Sequence, residues 1–188
     1  LYSNSGIGTQ NAALSAGGGN GGLTACTFEY DGSSWSAGGA LQVARYAMAG
    51  GGTQDAAVVA GGGFFNQCCI CTEEYNGTSW SNGGSLSQAR YDLAGAGTHN
   101  ATLASGGVAG SSTNCTEEYD GTSWSTATGF STTRRSIGGN GTQNAALIFG
   151  GNSNSQNSCT EEYNGSTWST SGALQVGRCC SAGAGLQS

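Results

Sequence analysis

The chain has no lysine and no proline, one histidine (His99) and one methionine (Met48), and only 9% of its 188 residues are charged. Each shortage removes a class of function. Nucleic-acid binding needs cations clustered on one face, but the net charge is −6 and four of the five arginines lie a full repeat apart. A lone histidine gives a metal few imidazole ligands, and no Cys-x2-Cys pair is matched by a second, so a zinc site is unsupported. No run approaches the 18 apolar residues of a membrane-spanning helix. Helical periodicity and helix caps are missing over any useful length. The chain starts at Leu1 with neither Met nor a signal peptide, which leads us to expect a processed product or a piece of something longer.

What the chain does have is repetition. Cys71-Thr-Glu-Glu-Tyr75-Asn-Gly-Thr-Ser-Trp80 recurs closely at 115–124 and 159–168, and with more change at 26–35. The tryptophans, Trp35, Trp80, Trp124 and Trp168, are spaced by 45, 44 and 44 residues. A second block keeps step: Gly8-Thr-Gln-Asn-Ala-Ala-Leu14 returns at 52–58, 97–103 and 141–147, and each copy runs on to a glycine pair, as at Gly61-Gly62. The units fall at about 2–45, 46–90, 91–134 and 135–178, within a single domain of residues 1–188, and 179–188 begins a fifth. A fixed period of this length built from strand-like pieces predicts a radial repeat architecture.

Turn signals divide one unit into four short strands. In the third unit they cover Tyr91 to Gly97, Ala101 to Ser105, Cys115 to Tyr119, and a stretch holding or following Trp124. On the third strand, Cys115, Glu117 and Tyr119 share one face, and Thr116 and Glu118 take the other. Asp120-Gly121 supplies a tight turn with positive φ. The 36 glycines and few large apolar residues predict a thin core in which strands or sheets approach closely. Four antiparallel strands per unit of about 44 residues fit a propeller blade.

The glycine pair after an apolar strand, the Tyr-Asp/Asn-Gly turn and the Trp five residues past the Tyr resemble the kelch repeat, over almost the whole chain. The resemblance implies an all-β, four-bladed kelch-like propeller whose Tyr and Trp pack between blades. The Gly/Ala/Thr-rich, lysine-free version looks like repeats of virion or surface-fibre proteins of aquatic viruses and microbes. Some kelch propellers are copper oxidases, a chemistry that needs several His ligands.

The remaining polar features read as structural. Arg45, Arg90, Arg134 and Arg178 occupy one repeat position and are expected to clamp blades together, on Glu29, Glu74, Glu118, Glu162 or backbone carbonyls. A ligand-binding ring at one mouth is the alternative. The pairs Glu73-Glu74, Glu117-Glu118 and Glu161-Glu162 point to opposite sides of a strand and do not converge as glycosidase acids do. His99 stands where other units have Gln10, Gln54 and Gln143, a drifted repeat position. Eight cysteines favour an oxidising compartment, with Cys68, Cys69, Cys179 and Cys180 as disulfide candidates of open connectivity. Asn76, Asn100, Asn114, Asn140 and Asn164 fit the N-glycosylation pattern.

The ends carry a second message. Leu1 to Gln10 is in phase with Arg178 to Gln187, which leaves one spare first-type strand. It is read as an overlap at ring closure, a continuation into further repeats, or an addition to a neighbour's sheet edge. The expected function is a non-enzymatic, extracellular or virion-surface structural protein. It would be a repeating subunit of a fibre, with copies of itself as partners, no cofactor and no catalytic residue. The alternative is a carbohydrate- or receptor-binding adhesion propeller that uses the variable loops 19–25, 64–70, 108–114 and 152–158, with Phe64 and Phe65 stacking on a sugar.

Overall fold

The computed structural model describes residues 3–19, 22–64 and 67–183. Every regular element among them is a β-strand. The first sheet consists of β1 (Ser5–Thr9), β2 (Ala12–Ala16), β3 (Thr27–Tyr30) and β4 (Trp35–Ala37). The second runs β5 (Ala49–Gly52) and β6 (Ala57–Ala60), then a small hairpin of β7 (Gly63–Phe64) and β8 (Gln67–Cys68), then β9 (Thr72–Tyr75) and β10 (Trp80–Asn82). The third holds β11 (Ala94–Thr98) and β12 (Ala101–Ser105), a hairpin of β13 (Val108–Ala109) and β14 (Ser111–Ser112), then β15 (Thr116–Tyr119) and β16 (Trp124–Ala127). The fourth is β17 (Gly138–Thr142), β18 (Ala145–Phe149), β19 (Thr160–Tyr163) and β20 (Trp168–Ser171). Each sheet is a four-stranded antiparallel meander in chain order, and the four form a four-bladed β-propeller arrangement.

Local chemistry accounts for the meander. At the third turn of each unit an Asp or Asn side chain replaces a backbone turn partner: Asp120 Oδ1 accepts the N–H groups of Thr122 and Ser123 at 2.8 and 2.7 Å. Gly121 follows at φ 90°. The turn sets the register Tyr119↔Trp124, which brings the two rings within 4.9 Å of each other. The glycine pair needs its residue type for another reason. Gly61 and Gly62 sit at φ 67° and 101°, and a Cβ on Gly61 would come within 2.7 Å of Arg90 O.

The core lies between blades as thin layers. One groups Ile7, Leu14, Leu41, Met48, Val59, Tyr75 and Trp80 at the junction of blades 1 and 2. Others follow at the later junctions, built on Leu86, Leu93 and Ala104, and on Phe130, Ile137 and Ile148. The innermost strands pack in succession, β1 on β5, β5 on β11 and β11 on β17. Their glycines permit this: a Cβ on Gly95 would fall 2.4 Å from the Gly50 backbone. Gly6, Gly50, Gly95, Gly139 and Gly183 hold one repeat position and line a narrow axial channel of about 270 Å³.

Candidate functional site: the inter-blade clamp and its open ends

Three junctions repeat one set of polar contacts. Arg45, Arg90 and Arg134 are each 0% exposed. Arg90 Nη1 donates to Gly106 O and Cys115 O, both at 2.9 Å, and Nη2 pairs with Glu117 Oε1 at 2.7 Å. Arg45 treats Gly61 O, Cys71 O and Glu73 in the same way, and Arg134 treats Gly150 O, Cys159 O and Glu161. The second carboxylate oxygen accepts a backbone N–H, from Gln42, Ser87 or Ser131. Meanwhile the arginine's own carbonyl accepts from the preceding blade: Gly62 N–H donates to Arg90 O at 2.8 Å. Each arginine is therefore anchored on one blade by its backbone and on the next by its side chain.

Backbone carbonyls were among the expected acceptors and are found, but the expected glutamates are corrected: the carboxylates are Glu73, Glu117 and Glu161 instead. Glu29, Glu74 and Glu118 accept the hydroxyl of the following blade's tyrosine, from Tyr75, Tyr119 and Tyr163. Strand alternation gives the reason. Glu117 and Tyr119 face the preceding blade, while Thr116 and Glu118 face the following one. Trp80 Nε1 donates to Thr27 Oγ1, Trp124 to Thr72 and Trp168 to Thr116 at 2.9, 2.9 and 3.2 Å. Gln54 Nε2 reaches back to Ala13 O and Tyr30 O, and Gln143 to Thr102 O and Tyr119 O. His99, in the same position, lies 3.8 Å from Glu74. Burial, then the Glu74 hydrogen bond, pushes the Tyr119 phenol up to about 12; burial and Glu118 do the same for Tyr163. Burial draws the Arg45 pKa down, and the Glu73 charge opposes that.

Arg178, Trp35 and the two outer flanks depart from this pattern. Arg178 is held by its backbone like the others, with Gly151 N–H donating to Arg178 O at 2.8 Å. Its side chain, however, is exposed and donates only from Nε to Val176 O, at 3.5 Å. On the same flank Glu162 accepts from Ser171 of its own strand pair. Trp35 is 54% exposed, whereas its equivalent Trp80 is 5% exposed. Tyr30 is half-buried and Gln10 exposed, so the backward-reaching side of blade 1 is unengaged among the described residues. The position of Glu73, Glu117 and Glu161 is Phe28 in blade 1, and the position of the clamp arginine is Leu1 in the sequence.

Ring closure follows the same division. Ser3, Ala47, Asp92, Ser136 and Cys180 share one repeat position and all have positive φ, between 51° and 59°. They form a backbone ladder in which Ala47 N–H donates to Ser3 O, Asp92 to Ala47, Ser136 to Asp92 and Cys180 to Ser136. A Cβ on Gly183 would come within 2.7 Å of Gly139 O, whereas one on Gly6 would meet nothing within 4 Å. The fifth inner segment is thus seated on blade 4, and blade 1 is not seated on it. A cleft of about 960 Å³ opens along this side, lined by Asn4, Ser15, Phe28, Trp35, Asp92 and Ser181 among others.

The remaining candidates fall elsewhere. Cys69 is bonded to Cys71, a partner the sequence did not suggest, while Cys68, Cys179 and Cys180 are free thiols. Asn76, Asn100 and Asn164 are exposed. Asn114 is half-buried with its Nδ2 donating to Phe130 O at 2.6 Å, and Asn140 is half-buried along the axial channel. Phe65 and the Phe64 side chain lie outside the described residues. Among the described residues no group of three or more His, Cys, Asp or Glu could hold a metal, and no helix is long and apolar enough to cross a membrane. No protein-family model matches the chain, and no curated protein is significantly similar to it.

Proposed function

We propose that the protein is a non-enzymatic structural element of an extracellular or virion-surface fibre, a kelch-like propeller extended through its blade flanks by repeat units of its own kind. One observation carries this reading: on the two terminal flanks the groups that join blades elsewhere have no partner from another blade among the described residues, although Thr160 is itself buried and Glu162 is held by Ser171 of its own blade. Blade 4 offers Thr160, Glu162 and Arg178 on one side of the array, and blade 1 offers Gln10, Tyr30 and Trp35 on the other. At the three internal junctions these same positions are engaged. A blade face left uncovered in this way suits the face of a further blade, and contacts that do not close on themselves build filaments. The test is electron microscopy of the native assembly, with an antibody against the chain. Regular decoration along fibres is expected, and label confined to isolated particles would count against the reading.

A second reading, adhesion to carbohydrate, draws on the cleft of about 960 Å³, whose lining includes Trp35 together with Asn4, Ser15 and Asp92. An exposed indole flanked by hydrogen-bonding groups suits a sugar ring. Glycan-array binding that disappears with Trp35→Ala would favour it.

A further inference from the structure

We propose that the outer flank of blade 4 is a docking site for a fifth blade of the same repeat class, one whose third strand presents a glutamate and two strand carbonyls to Arg178. The inference rests on the structural reading above and specifies the neighbour that the flank takes. Its basis is continuity with three junctions already formed. At each, an arginine fixed by its carbonyl to one blade inserts its guanidinium into the next, on two carbonyls and a carboxylate. Arg178 reproduces the first half, because Gly151 holds its carbonyl at 2.8 Å, and its side chain lacks the second half. The inner segment of the fifth unit is also in place. Cys180 extends the backbone ladder from Ser136, and Gly183 lies against Gly139 as Gly139 lies against Ala94 and Gly95. What this sector lacks, among the described residues, is the outer three strands.

The receiving groups define the occupant. Thr160 and Glu162 hold the repeat positions of Thr116 and Glu118, which take an indole N–H and a tyrosine hydroxyl at the preceding junction; Glu162 would exchange its bond from Ser171 for such a hydroxyl. The exposed guanidinium of Arg178 calls for a carboxylate. A second copy of this chain meets the first two requirements through Trp35 and Tyr30 but fails the third, since Phe28 stands where the glutamate is needed. Leu1, just ahead of the first unit, and Phe28 within it stand where later junctions have the Arg and the Glu, so blade 1 has no glutamate to offer Arg178. The cognate neighbour is a blade of the Thr-Glu-Glu-Tyr type.

Extending the chain tests this directly. Ser188 is in register with Asn144, so a copy of residues 145–177 joined after Ser188 completes a fifth unit that contains the equivalent of Glu161 and no arginine. An arginine-directed reagent such as phenylglyoxal, read by mass spectrometry, reports the outcome. In the parent chain Arg135 and Arg178 should react while the buried Arg45, Arg90 and Arg134 resist, which also certifies folding. In the extended chain Arg178 should become about tenfold or more slower, as groups enclosed in a cooperative unit do. Changing the appended glutamate to Gln, or appending residues 12–44 with Phe28 instead, should restore its reactivity. The inference is overturned if Arg178 stays fully reactive beside the glutamate-bearing blade while the other three remain protected. It is equally overturned if Arg178 is already protected in the parent chain and that chain sediments as a dimer, because a second copy then fills the flank. Neither result depends on whether fibres are seen, so the structural reading stands or falls separately.

Discussion

A guanidinium with no solvent exposure needs acceptors placed for it, and in this chain one arrangement, which serves both Nη atoms and leaves Nε without a partner, is copied three times. Removing one member strands the other. Arg90→Met leaves the Glu117 carboxyl without its partner in a dry site and should destabilise the fold by about 3–5 kcal/mol in denaturant titrations, whereas Arg90→Met with Glu117→Leu should recover most of it. The tyrosine hydroxyls set an alkaline limit. A phenol near 10 in the unfolded chain and about 12 when folded keeps its proton longer in the native state, so the native form binds more protons in that window. Stability from Tyr119 and Tyr163 should therefore hold below pH 10 and drain away between 10 and 12. Thermal melts across that range check it, and a midpoint that does not fall would contradict it. The sequence showed that arginines and glutamates keep phase, but it did not show which glutamate each arginine takes. Both strand faces meet a neighbouring blade, so alternation alone leaves two equivalent choices. The Cys69–Cys71 link was hidden for a related reason: Cys71 looked like a repeat position shared with Cys26, Cys115 and Cys159, which are free thiols.

Within the elements, equivalent glycines do unequal jobs. A Cβ at Gly95 would meet the Gly50 backbone at 2.4 Å, while one at Gly6 would meet nothing. Gly95→Ala should cost about 1–3 kcal/mol or more, as overpacking does, and Gly6→Ala should stay within about 0.5 kcal/mol of the parent. Circular dichroism melts of the two variants suffice, and equal losses would mean that blade 1 has an inner neighbour after all. The strands themselves were legible because Asp/Asn-Gly turns and glycine pairs punctuate them. The second strand of the third unit matches its sequence bounds, Ala101–Ser105, and the others differ by a residue or a few at their ends. The hairpins Gly63–Phe64 with Gln67–Cys68, and Val108–Ala109 with Ser111–Ser112, were not legible. Two-residue ladders carry no periodicity, and these lie in loops that vary between units.

For the whole molecule, the radial arrangement followed from the period, but the open side did not, because a repeat sequence says nothing about how far round the axis each unit turns. Blade 1 and blade 4 differ from the interior blades in what they touch, and the tryptophans report it. Trp80→Ala should cost about 3–5 kcal/mol, since it removes a buried ring, and Trp35→Ala should change the isolated chain by about 0.5 kcal/mol or less. The comparison of unfolding midpoints checks this, and a large loss at Trp35 would mean that its flank is covered.

Tyrosine, tryptophan and glutamine all send their protons backward along the array, and threonine, glutamate and main-chain oxygens receive them. A string of such modules is consequently vectorial, with two chemically distinct termini: one offers tyrosine, tryptophan and glutamine donors, and the other offers threonine and glutamate acceptors together with an arginine donor. A soluble piece bearing only one of the two surfaces would cap growth at a single tip and leave the opposite tip free to elongate.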